Sequence, residues 1–127
     1  MGSPTLSFGP DFEKLIARVL HQDTIALSQV AHALRPDHFD VTACGWVYGA
    51  MRDHLLDYRG PLTAPILEER LRSAVAAGDV PRADIPSFIR LLDEIEADVL
   101  PGEHDYALGK VSDFLVYQSL RTAMDPA

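Results

Sequence analysis

Apolar residues recur at intervals of three and four along almost the whole chain, and no stretch sustains the two-residue alternation of a half-buried strand. That spacing gathers apolar side chains on one face of a helix, so the expected fold class is all-α. After Pro10, Phe12, Leu15, Ile16, Val19 and Leu20 form one stripe across residues 11–21. Asp23 is placed to cap a second helix with Ile25, Leu27, Val30, Ala31 and Leu34 facing in. Pro36 should stop that helix near Arg35, because the residue before a proline is pushed out of helical geometry.

In the turn Pro36-Asp37-His38-Phe39-Asp40 the lone aromatic, Phe39, is expected to plug the core from outside. A central helix over residues 42–58 carries Trp46, Val47, Tyr48, Met51, Leu55 and Leu56, and ends at Arg59-Gly60-Pro61 with a C-terminal glycine and a proline stop. Thr63 can cap the next helix, with Pro65 in its first turn and Ile66, Leu67, Leu71 and Val75 inward, before Gly78 closes it. Asp84 caps a fifth, with Pro86 in its first turn and Phe88, Leu91, Leu92 and Ile95 as its apolar face. Pro101-Gly102 breaks the chain, and a last helix runs from about His104 into the 120s.

That last helix carries Tyr106, Leu108, Val111, Phe114, Leu115, Val116, Tyr117 and Leu120 over more than one face. A chain of 127 residues has little room to bury both sides of it. A protein partner is therefore expected there, meeting Tyr106, Leu108, Phe114, Leu115 and Tyr117. The competing arrangement seats the helix in a groove of its own domain with a few apolar residues left outside.

Composition narrows the function classes. With 19 acids against 11 lysines and arginines the formal charge is −8, so a phosphate backbone is on average repelled and direct nucleic-acid binding is not expected. Arg70 and Arg72 share their helix with Glu68 and Glu69 and read as a mixed solvated face. The single Cys44 excludes a disulfide within one chain, reads as a small half-buried apolar residue, and fits a reducing cytoplasm. No apolar run is long enough for a membrane span. Residues 1–10, beginning Met1-Gly2-Ser3, are expected to be a tag-like, disordered leader, and residues 11–127 one helical domain.

Chemistry is harder to find. His21, His32, His38, His54 and His104 fall in different expected elements, with no pair at the i, i+4 spacing of helix-borne metal ligands. Each is expected half-solvated, with no metal or cofactor. The acids Asp93, Glu94, Glu96 and Asp98 flank apolar Leu92 and Ile95, as the outer face of a helix does. No glycine-rich phosphate loop and no nucleophile elbow occurs, so no catalytic residue is assigned and the chain itself is not expected to be an enzyme.

The order of these signals resembles the N-terminal domain of DnaB-type replicative helicases over residues 12–121. An amphipathic helix begins at Phe12-Glu13, and Asp23 opens a second. Leu34-Arg35-Pro36-Asp37-His38-Phe39 matches the family's leucine-x-proline-acid-x-phenylalanine turn. Val47-Tyr48 and Met51 lie on the aromatic helix, Gly60-Pro61-Leu62-Thr63 is similar to its glycine junction, and Asp105-Tyr106-Ala107 before Val111 to the start of its last helix. The chain departs from the family at Ala17-Arg18, where a leucine-glycine pair is usual, and at Arg82-Ala83-Asp84, where two glycines are.

The resemblance implies a compact bundle of about six helices whose last helix projects towards a helical hairpin or dimer seam. It implies an assembly domain that forms a collar on the helicase ring in the cytoplasm. Such a domain pairs with copies of itself as a homo-oligomer and docks primase or a helicase loader, and an ATP-driven motor would follow the last helix. Two other readings stand beside it: a helical adaptor that binds a different protein through the same helix, and a small metal-dependent or hydrolytic enzyme using the acids at 93–98 or a histidine.

Overall fold

The computed structural model describes residues 9–60 and 62–124. Among them the chain forms six α-helices: α1 (Pro10–Gln22), α2 (Thr24–Val30), α3 (Thr42–Tyr58), α4 (Ala64–Ala77), α5 (Ile85–Ile95) and α6 (Pro101–Met124). Two 3-10 turns, Pro36–His38 and Arg82–Asp84, complete the elements, and no strand occurs among the described residues. The expected all-α bundle is what the chain adopts. Of the expected leader, residues 1–8 lie outside the described residues, and Pro10 already belongs to α1.

Two helices organise the rest. α1 packs against α2, α3, α5 and α6, and α3 packs against α1, α2, α4, α5 and the Pro36–His38 turn. The core between them is built from Ile16, Leu20, Leu34, Val47, Tyr48, Met51, Leu67, Ile95 and Phe114, each almost fully buried. The expected stripe of α1 is rotated by about one position: Glu13, Ile16, Ala17, Val19 and Leu20 are buried, while Phe12 and Leu15 are half-buried.

Boundaries follow local chemistry. The Asp23 carboxylate accepts the Ala26 N–H at 3.0 Å, the cap expected of it. α2 ends at Val30 rather than near Arg35, because the chain turns there to bury Leu34, and the Val30 carbonyl accepts from both Ala33 N and Leu34 N. At the end of α3 the left-handed position falls on Arg59 (φ 58°) instead of Gly60, with the Arg59 N–H donating to the Leu55 carbonyl at 2.7 Å. Gly78 closes α4 in the left-handed conformation (φ 83°), as a glycine there should.

Thr63 and Asp84 precede their helices without capping them by a side chain. α6 begins at Pro101, not at His104. Proline suits the first turn, where its missing N–H leaves nothing unpaired, and the Glu103 carboxylate accepts the Leu100 N–H at 3.2 Å. Three residues read as inward face solvent: Ile25, Leu56 and Ile66. Each sits at the margin of its helix's apolar stripe, where a short helix-to-helix contact does not reach.

Candidate protein-interaction surface

The turn that carries the family resemblance is a structural junction between α3 and α6. Pro36 lies directly on the backbone of α3, over Gly45 and Gly49. A Cβ at Gly45 would stand 2.6 Å from the Pro36 carbonyl oxygen, and one at Gly49 3.0 Å from Pro36 Cγ, so only glycine admits this approach unstrained. Phe39 enters the core as expected, with its ring 5.4 Å from Tyr48 and 5.5 Å from Phe114. Tyr48 donates its hydroxyl to the Leu34 carbonyl at 2.7 Å, and burial pushes that phenol up to about 12.

Three polar residues hold the same turn. Glu13, buried on α1, accepts the N–H groups of Asp40 (3.0 Å) and Val41 (2.9 Å), which binds α1 to the start of α3. Desolvation raises the pKa of that carboxyl above its ordinary value, against the lowering effect of the two N–H bonds. His38 accepts the Arg35 N–H at Nδ1 (2.9 Å), which leaves the proton on Nε2, facing Ser119 Oγ at 3.3 Å. Gln118 donates to the His38 carbonyl at 2.6 Å, and Arg121 pairs with Asp40 at 2.7 Å.

None of these polar roles is visible as apolar periodicity. Glu13 nonetheless stands in helical register with Ile16, Ala17 and Leu20, and that register was the available signal.

α6 therefore docks one face into its own domain. Ala107, Phe114 and Gln118 are buried on that face, and Leu108, Val111 and Leu115 pack half-buried against the core. Phe114 is fully buried, with its ring 5.9 Å from Phe12, so it has no surface to offer a partner, and its place among the expected interface residues is corrected. Inward-facing Leu108 and Leu115 present only their edges. Tyr106 remains 57% exposed, beside Phe12 (6.3 Å, edge-on) and under Lys110 (5.9 Å). Tyr117 is half-buried, with the Arg121 guanidinium 5.8 Å above its ring.

The outward stripe is Tyr106, Gly109, Asp113, Val116 and Leu120, all exposed and spaced at three and four. Val116 and Leu120, 59% and 56% exposed, were not among the residues expected to meet a partner. They adjoin half-buried Tyr117 and complete an apolar patch on the C-terminal half of α6.

Among the described residues the histidines and the acids at 93–98 are spread over separate places in the fold. His38 and His54 are buried rather than half-solvated as expected, His38 within its turn against Gln118 and Ser119 and His54 on α3 against Tyr58. His21 donates Nε2–H to the Leu62 carbonyl at 2.8 Å. His104 bridges α6 to the α2 cap, with Nε2 2.8 Å from Asp23 Oδ2. Cys44 is fully buried, more so than expected, and burial pushes its thiol up to about 12, which suppresses the reactive thiolate. Asp93, Glu94, Glu96 and Asp98 are exposed, Glu94 opposite Lys14 at 3.5 Å.

Among the described residues no three His, Cys, Asp or Glu side chains stand close enough to share a metal ion, and no helix is long and apolar enough to cross a membrane. No protein-family model matches the chain, and searches of curated proteins and of solved structures find no match.

Proposed function

We propose that this chain is a protein-interaction and assembly domain of the kind that forms the collar of DnaB-type replicative helicases. In this reading copies of it pair through the outer face of α6, and the domain docks primase or a helicase loader during DNA replication in the cytoplasm. The chain performs no chemistry itself, and the ATP-driven motor belongs to a following domain. The observation that carries the proposal is the division of α6, whose inner stripe secures the domain while Tyr106, Val116 and Leu120 stay in solvent.

Two further features support the reading. The Leu34-to-Phe39 turn is tied to α3 and α6, and Asp40 just after it to α1, which gives the motif of the resemblance a structural purpose. The charge of −8 favours contacts with proteins over contacts with phosphate.

Sedimentation equilibrium across a concentration series tests this, comparing the intact chain with Val116→Asp and Leu120→Asp. An aspartate at an apolar seam costs more than about 1.4 kcal/mol, so self-association should weaken at least about tenfold while the helical circular dichroism is kept. A monomer at every concentration removes the self-pairing element. Association that is unaffected by both variants places the seam elsewhere. Phe114→Asp is no test of pairing, because a charge at that buried site should destabilise the fold itself.

A further inference from the structure

α3 and α4 touch but leave a space between them. An open groove of about 1120 Å³ runs between them, walled on the α3 side by Trp46, Ala50, His54 and Tyr58, one helical turn apart. The α4 wall offers Ile66, Arg70, Ala74 and Ala77 at spacings of four, four and three. Gly49, Ala50, Ala74 and Ala77 keep the middle open, and the large side chains Trp46, Tyr58 and Ile66 line the remainder. Two rows at helical pitch with small residues between them form a trough into which the ridge of a third helix fits.

The rim of the groove carries more acidic than basic side chains. The charged residues lining the groove are Asp53, Glu69 and Asp79 against Arg70 alone. Asp53 and Glu69 are held by Arg52 (3.4 Å) and Arg72 (2.6 Å), exposed pairs that an incoming cation displaces cheaply.

We infer that this groove receives a basic amphipathic helix of a partner protein, about four turns long to match the 14 residues of α4. Its apolar side chains face Trp46 and Tyr58, and lysines or arginines along its edges face Asp53, Glu69 and Asp79. The outer face of α6 from a second copy is a poorer occupant, because Asp105 and Asp113 on it would meet these carboxylates. The groove lies on helices other than α6, so this inference stands or falls independently of the pairing proposed above.

Trp46 is the only tryptophan in the chain, so its emission reports on the groove directly. The probe is a synthetic tryptophan-free peptide of about 18 residues with leucines at helical spacing flanked by lysines. A control peptide carries glutamates in place of the lysines. The expected result is saturable binding of the lysine peptide with a shift in Trp46 emission, at least about tenfold weaker for the glutamate peptide. The doubly substituted protein Glu69→Lys, Asp79→Lys should weaken binding by a similar factor. Both positions are exposed, so its circular dichroism should be unchanged.

Asp113→Lys on α6 should bind like the intact chain, which separates groove binding from any effect at the α6 face. Absence of saturable binding, equal binding of both peptides, or indifference to the double substitution overturns the inference. A Trp46 shift that follows protein concentration without peptide, with a doubled mass, gives the groove to a second copy and overturns it equally.

Discussion

His38 is held by the Arg35 N–H bonding to Nδ1, so the ring serves the fold only while that nitrogen is unprotonated. Burial, helped by the Arg35 charge, lowers its pKa below the ordinary 6.5. Its contribution is therefore complete above 6.5 and is lost as pH falls through the lowered value. His104 behaves oppositely. Its bonds to Asp23 and Asp105 raise its pKa above 6.5, so its contribution is complete below 6.5 and is lost as pH rises through the raised value. Asp23 is lowered by the same His104 bond and by the Ala26 N–H, so its share is complete above 3.8 and fades in acid. Denaturant unfolding should show His104→Gln costing most near about pH 5.5 and least near about pH 8.5, with His38→Gln showing the reverse order. Matching pH profiles for the two variants would refute this assignment of protons. Glu13→Ala strands the Asp40 and Val41 N–H groups and should cost about 3 kcal/mol at neutral pH, measured the same way.

Helix boundaries and packing faces set the next level. Arg59 takes the left-handed position that a glycine would occupy without cost, so Arg59→Gly should raise stability by about 1 kcal/mol. Gly45→Ala drives a methyl against the Pro36 carbonyl at 2.6 Å. Backbone on both sides gives way poorly, and about 2 kcal/mol should be lost in thermal or urea unfolding. These two sites also show how far the sequence could be read. Periodicity and proline positions located every helix, because packing and start signals are local. They did not place the left-handed residue at Arg59 or the early end of α2, since both depend on where Leu34 and the end of α3 meet the core. For α6 the apolar residues were legible but their division between faces was not. Phe114 and Val116 are equally apolar in sequence, and Phe114 turns inward beside Phe12 and Phe39. Glu13 and Gln118 were missed because buried polar residues bonded to backbone leave no compositional mark.

Across the whole domain, cohesion is uneven. α3 and α6 share the Pro36–His38 turn, Glu13 ties α1 to Asp40 and Val41 just after it, and a run of aromatic contacts from Phe12 through Phe114 and Phe39 to Tyr48 joins all three helices. Among the described residues α4 has no comparable anchorage. Leu67 and Leu71 are its buried residues, and it lies between the large groove against α3 and a smaller cavity of about 420 Å³ against α5. Its ends are Thr63, which forms no side-chain cap, and the left-handed Gly78. Local opening follows the number of buried apolar contacts that must be broken, so α4 should open well before the α1, α3 and α6 framework. Native-state hydrogen exchange checks this: amides of Leu67 to Ala74 should exchange at least about tenfold faster than those of Val47 to Met51, equivalent to about 1.4 kcal/mol of separation. Equal protection would mean that α4 unfolds only with the whole domain, and that the two flanking cavities cost it nothing. Occupation of the α3/α4 groove supplies the contacts that α4 lacks, so a bound basic helix should slow exchange in α4 first and leave the already protected framework unchanged.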